Sequence, residues 1–84
     1  MPRPRSVRLS RRAEKALDSI DPARVEYPKN AIRELAHNPL LGKKLKGEFE
    51  ALRSFRIGSF RIVYRFTKEL LEVVYIDHRK DVYR

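Results

Sequence analysis

The stretch Ala51-Leu52-Arg53-Ser54-Phe55-Arg56-Ile57-Gly58-Ser59-Phe60-Arg61-Ile62-Val63-Tyr64-Arg65-Phe66 decides the fold. Two runs rich in Phe, Ile, Val and Tyr flank Gly58-Ser59, a two-residue loop with glycine first, as a type II′ hairpin turn requires. That loop fixes a register. Ile57 faces Phe60, Arg56 faces Arg61, Phe55 faces Ile62, Ser54 faces Val63 and Arg53 faces Tyr64. Opposed residues share a face, and faces alternate along each strand. One face therefore collects Phe55, Ile57, Phe60, Ile62, Tyr64 and Phe66, an apolar surface that needs cover. The other collects Ser54, Arg56, Arg61 and Arg65 around Val63.

Working outward, Thr67-Lys68-Glu69 makes the next turn and Leu70–Asp77 reads as a third strand. At the other end, Val7 and Leu9 alternate with Ser6 and Arg8 as a short opening strand. Ser10 can cap a helix whose apolar stripe is Ala13, Ala16, Leu17 and Ile20. Asp21-Pro22 restarts a second helix, carrying Val25, Ile32, Leu35 and Ala36, and Asn38-Pro39 stops it. Pro28 predicts a kink there, or a main helix that begins at Pro28. Residues 39–50 read as a basic loop with Gly42 and Gly47. The expected fold class is α+β: a small antiparallel sheet, made of the N-terminal strand plus a three-strand meander, with two helices packed on one face. Residues 1–84 are expected to form a single domain.

The composition narrows the function. Twenty Lys and Arg against 11 Asp and Glu give a net charge of +9. Residues 1–15 hold Arg3, Arg5, Arg8, Arg11, Arg12 and Lys15 against Glu14 alone. Residues 43–65 hold Lys43, Lys44, Lys46, Arg53, Arg56, Arg61 and Arg65 against Glu48 and Glu50. Such a chain is suited to an anionic partner, nucleic acid first and an acidic protein second. The absence of cysteine excludes disulfides, thiolate zinc sites and Cys nucleophiles. With only His37 and His78, no metal-ligand spacing is present, and no glycine loop matches a nucleotide motif. Tyr27 and Tyr75 read as packing residues with a polar tip. No secretory leader or membrane-spanning run is read, so a cytoplasmic protein is expected.

The hairpin register puts two arginines directly opposite each other. Like charges so placed repel. A bridging anion resolves the repulsion, and the planar arginine fork grips phosphate or carboxylate bidentately. Arg56 and Arg61 are thus a candidate anion site.

Three segments together carry a resemblance. They are Leu45-Lys46-Gly47, the hairpin from Leu52 to Tyr64, and His78-Arg79-Lys80-Asp81-Val82-Tyr83. Their combination resembles the RelE/ParE superfamily of type II toxins, the RelE branch in particular. The resemblance implies a metal-independent endoribonuclease without cofactors that cuts mRNA in the ribosomal A site. In that family the ribose 2′-OH attacks the adjacent phosphate, leaving a 2′,3′-cyclic phosphate and a 5′-OH. It implies phosphate stabilisation by Arg61, a leaving-group or charge-stabilising role for Arg79, and base stacking or 2′-OH orientation by Tyr83. Where the RelE branch often carries a lysine pair, this chain has Ser54 and Arg56. Arg56 can hold a phosphate but stays protonated, so the base must be another group. His78 is one candidate; Glu48 and Glu50 are others, by similarity to YoeB-like toxins. Lys43, Lys44, Lys46, Arg53 and Arg65 are expected to hold RNA backbone. The implied partners are the ribosome with its mRNA and a RelB-like antitoxin with an acidic toxin-binding segment; no membrane or metal partner is expected. Two other functions stay open: a ParE-like inhibitor of DNA gyrase, and a catalytically weak member that mainly binds its antitoxin.

Overall fold

The computed structural model describes residues 3–45, 47 and 51–78. The elements are β1 (Ser6–Leu9), α1 (Arg11–Asp18), α2 (Glu26–His37), a 3-10 turn (Pro39–Leu41), β2 (Lys43–Lys44), β3 (Arg53–Ile57), β4 (Phe60–Phe66) and β5 (Leu70–His78). The strands form one sheet in the order β1-β5-β4-β3-β2.

The hairpin register is the one read from the sequence, on every rung from Arg53↔Tyr64 to Ile57↔Phe60. Gly58 has φ of 59°, and among the described residues none other than glycine has positive φ. That is the type II′ pattern; type I′ needs both loop residues positive. The apolar face forms the core as expected. Ile62, Tyr64, Leu71, Val73 and Ile76 are buried against Ala13 of α1 and Ala31, Ile32, Leu35 and Ala36 of α2, and Phe60 is buried as well. The α2 positions recur at three and four residues, the spacing of one helix face.

Four expectations are modified. The opening strand lies in the same sheet but runs parallel to β5, with Ser6↔Leu70 through Leu9↔Val73. The sheet is therefore mixed, not wholly antiparallel. A hairpin forces antiparallel pairing, whereas β1 reaches β5 only through two helices and the whole meander. Second, the Asp21 restart makes a single turn, closed by Arg24 and Val25 N–H on the Asp21 carbonyl (2.8 and 3.1 Å). The helix proper starts at Glu26, two residues before the expected Pro28 start. Pro28 lies in the first turn, where its missing N–H costs nothing, and its ring is buried. Third, the basic loop contains the 3-10 turn and β2, with Lys43↔Ser54 and Lys44↔Arg53. Fourth, Tyr27, read as a packing residue, is exposed.

The pairing of β4 with β5 carries a β-bulge. Tyr64 faces Val73, but Val63 faces Tyr75, so one extra residue is inserted at Val74. The bulge lets Leu71, Val73 and Ile76 all reach the core although their spacing breaks strict alternation. Ser10 holds it in place. Its N–H donates to the Val73 carbonyl (2.9 Å) and its Oγ to the Val74 carbonyl (2.6 Å). The same Oγ accepts from Ala13 N–H (3.0 Å), capping α1. Ser10→Ala removes the cap and the Oγ bond to the bulge together, leaving the backbone bond to Val73. It is expected to cost about 1–2 kcal/mol, read as a fall of about 4–16 °C in Tm. An unchanged melting curve would refute this role for Ser10.

Candidate functional site

The helices cover one side of the sheet. Among the described residues no element covers the other side, and register alone determines what it displays. The rung Arg56↔Arg61↔Asp77 crosses β3, β4 and β5. The rung Arg65↔Glu72↔Arg8 crosses β4, β5 and β1. Lys43 and Ser54 pair at the β2 side, and Val63 and Tyr75 lie between the two rungs. Five cations (Arg8, Lys43, Arg56, Arg61 and Arg65) thus share a surface with two carboxylates (Glu72 and Asp77).

The two rungs differ in how their charges are balanced. Glu72 accepts from Arg65 Nε (2.6 Å) and sits 3.5 Å from Arg8 Nη2. The Arg65 hydrogen bond is the main reason its carboxyl lies below the ordinary value of 4.5; partial burial opposes the shift, and the charges of Arg65 and Arg8 add to it. A depressed carboxylate stabilises the fold above its unfolded pKa and loses that contribution as pH falls through its native one. The Tm advantage of the wild type over Glu72→Gln is accordingly expected to be full at neutral pH and to shrink below 4.5. A pH-independent difference between the two melting curves would contradict the assignment.

The other rung is less satisfied. Arg61 Nη2 reaches Asp77 Oδ2 at 3.4 Å, at the long end of hydrogen bonding. Arg61 Nε is buried and has no hydrogen-bond partner among the described residues. Arg56 is exposed directly opposite. Two guanidinium-bearing residues thus stand opposite each other on this rung, a charge arrangement that suits an oxyanion.

The remaining expected site residues distribute as follows. Arg53 is on the helix side of β3, where its Nη2 donates to the Gly42 carbonyl (2.7 Å) and the Leu40 carbonyl (3.4 Å). Arg65 is engaged by Glu72. Lys43 and Lys44 are exposed on the short edge strand β2. His78 is the register partner of Phe60 and stacks on its ring (centroids 4.2 Å apart, planes 21° apart). It therefore faces the side opposite Arg56 and Arg61, and its Nε2 is buried without a hydrogen-bond partner among the described residues. Lys46, Glu48, Glu50, Arg79 and Tyr83 lie outside the described residues. Asp77 is the site residue that sequence reading missed. A regular ladder continued from Tyr64↔Val73 would put Ile76 opposite Arg61, and only the bulge substitutes Asp77. Tyr75, read as a packing residue, pairs with Val63 on the open side and has the Arg12 guanidinium 4.5 Å from its ring centroid.

Among the described residues no group of three His, Asp or Glu side chains comes together as a metal-ligand set. No described helix is long and apolar enough to cross a membrane.

Known proteins share both the sequence and the fold. The family model described as the ParE toxin of type II toxin-antitoxin system, parDE, matches residues 7–83. Toxin RelG of Mycobacterium tuberculosis (strain ATCC 25618 / H37Rv) is 36% identical over 88 residues, spanning 96% of this chain and 98% of that protein. A chain of the crystal structure of the toxin-antitoxin complex RelBE2 from M. tuberculosis superposes with a TM-score of 0.85 at 29% identity, covering 93% of this chain and 94% of that one. The isolated E. coli RelE toxin has the same fold, with a TM-score of 0.75 at 21% identity over 94% of this chain and 90% of its own. An open basic sheet face, the hairpin that builds it and these matches lead to one conclusion: the chain belongs to the RelE/ParE superfamily and is a toxin of a type II toxin–antitoxin system.

Proposed function

We propose that this toxin is a ribosome-dependent endoribonuclease that cuts mRNA in the ribosomal A site. The observation that carries the reading is the Arg56–Arg61 pair on the open face of the sheet. In the proposed reaction the 2′-OH loses its proton and attacks the adjacent phosphorus, the 5′-oxygen leaves and is protonated, and a 2′,3′-cyclic phosphate remains. Negative charge grows on the phosphate oxygens during this step. Fixed cations aimed at that charge lower the barrier. Arg61 and Arg56 take this role, and Asp77 orients the Arg61 fork from the same rung. Arg79 and Tyr83 enter by family resemblance, Arg79 at the leaving oxygen and Tyr83 on a base. His78 adjoins Arg79 in sequence, but a base role requires its ring to leave Phe60.

The test is induction in cells followed by mapping of mRNA 5′ ends. Cuts in phase with the codon at the A site are expected. Unbroken transcripts with normal growth on induction would refute the reading. A blank ribosome-programmed cleavage assay alongside tight antitoxin binding would favour the catalytically weak alternative, which the replacement of the lysine pair by Ser54 and Arg56 motivates. The matching family model is described for ParE toxins, which keeps inhibition of DNA gyrase as a second reading. A supercoiling assay with purified gyrase separates it.

The partner proposed for neutralisation is a RelB-like antitoxin with an acidic toxin-binding segment. Solved RelBE toxin–antitoxin complexes contain chains of this fold. A toxin of net charge +9 should associate with it at a rate that falls as salt rises. An antitoxin whose binding segment is neutral or basic would contradict this. The ribosome as target places the toxin in the cytoplasm.

A further inference from the structure

The sheet is incomplete at its β2 edge. β2 has two residues, and its first, Lys43, pairs with Ser54. Before Lys43 the chain turns away through Gly42 into the 3-10 turn, so the rest of β3 has no neighbouring strand on that side among the described residues. In an antiparallel ladder the N–H and C=O of one residue point to the same neighbour and alternate along the strand. Leu45 N–H donates to the Leu52 carbonyl (3.0 Å), which aims Leu52, Ser54 and Arg56 at the β2 side. The backbone groups of Arg56 therefore open onto a groove instead of a strand.

The groove has a volume of about 470 Å³ and is lined by Leu41, Gly42, Lys43, Ser54, Phe55 and Arg56. That size lies within the range of about 300–1,000 Å³ typical of small-molecule sites. Its apolar part is Leu41, 44% exposed, and the half-buried Phe55, which lies on the helix side of β3. Its charged part is Lys43 and Arg56, both exposed, and no acid among the described residues lines it. An apolar surface for a base beside cations for a backbone is how single-stranded nucleic acid is held. Arg56 borders this groove and also stands opposite Arg61 on the adjoining strand.

We propose that this groove is a nucleotide subsite. It takes the base of the RNA residue next to the phosphate held by Arg56 and Arg61, against Leu41 and Phe55, with Lys43 on the outer phosphate. The assignment rests on the ribonuclease reading and adds to it a place where the nucleotide flanking the cut is sensed. Stacking accepts every base, so the preference it imposes is graded.

The test uses the full chain and a short RNA with a 2′-deoxy residue at the cut position, which binds without being cleaved. Backbone amide shifts of Leu41, Lys43, Ser54 and Arg56 are expected to move on titration. Leu41→Glu is expected to weaken binding about tenfold, and Lys43→Gln to weaken it and flatten its salt dependence. Tyr27→Ala, in the separate groove beside the hairpin loop, should leave binding unchanged. Shifts confined to other residues, no binding at all, or a well-folded Leu41→Glu with wild-type affinity would overturn the subsite. Groove shifts in a protein that never cuts ribosome-bound mRNA would sustain the subsite and remove the ribonuclease reading. Normal cleavage without groove shifts would do the reverse.

Discussion

Arg61→Ala is expected to lower ribosome-dependent cleavage by about 10²–10³-fold, the usual loss when one fixed donor to a developing oxyanion is removed. The fold should survive the change. Arg61 makes an ion pair with Asp77 at 3.4 Å, and its side chain is 37% exposed. Pairs of that kind contribute about 0–1 kcal/mol, and removing one of two opposed arginines also relieves their repulsion. Activity and stability therefore separate at this residue. Arg61→Lys sharpens the test, since it keeps the charge but loses the planar fork, and should fall between alanine and wild type. The measurement is cleavage of programmed ribosomes, with thermal unfolding and antitoxin binding as controls. Wild-type cleavage by the alanine variant would remove Arg61 from the mechanism and with it the open-face site.

The largest expected loss of stability comes from Gly42→Ala. The backbone there has φ of −80° and ψ of 175°, which any residue adopts. The requirement for glycine is one of space. A Cβ at Gly42 would stand 2.6 Å from the Ser54 carbonyl oxygen and would also collide with the Tyr64 hydroxyl. The carbonyl belongs to β3 and cannot swing aside. Tyr64 is fully buried, donating to the Pro39 carbonyl (2.5 Å) and accepting from Gly42 N–H (3.0 Å). These bonds, with Arg53 on the Gly42 carbonyl, fasten the 3-10 turn and β2 to the sheet. Overpacking costs about 1–3 kcal/mol, and each displaced hydrogen bond about 1 kcal/mol more. Together these are a large share of the about 5–15 kcal/mol that holds a domain folded. Tyr64→Phe leaves a buried N–H and C=O unpaired, at about 1–3 kcal/mol. In the double variant the missing hydroxyl makes room for the alanine methyl, so the combined loss should be smaller than the sum. Additive losses in urea denaturation would show that Gly42 and Tyr64 do not share a contact.

Local chemistry makes part of this protein legible from its sequence. Period-two alternation around Gly58-Ser59 sets the whole β3–β4 register, because a two-residue loop allows one pairing and a slip would turn every apolar side chain to water. The same alternation is enough to bring Arg56 and Arg61 together. The cap at Ser10 and the stop at Asn38-Pro39 are likewise local. The resemblance that points to the family comes from residues 45–64 and 78–83 taken in combination.

Tertiary structure decides what depends on distant partners. Arg53 and Arg65 look in sequence like the other hairpin arginines, yet one is bound to carbonyls near Gly42 and the other to Glu72. His78 adjoins Arg79 in sequence but turns its ring onto Phe60, away from Arg61. The parallel seat of β1 follows from a long connection whose endpoint no local pattern specifies. Most consequential is the bulge at Val74, held by a serine 64 residues away. It moves one rung of the sheet by a single residue, and that step places a carboxylate instead of an isoleucine beside Arg61. The strand pattern by itself determined which arginines share a face; the partner that orients one of them was settled by a contact between opposite ends of the chain, because hydrogen-bond register across a sheet is a non-local property.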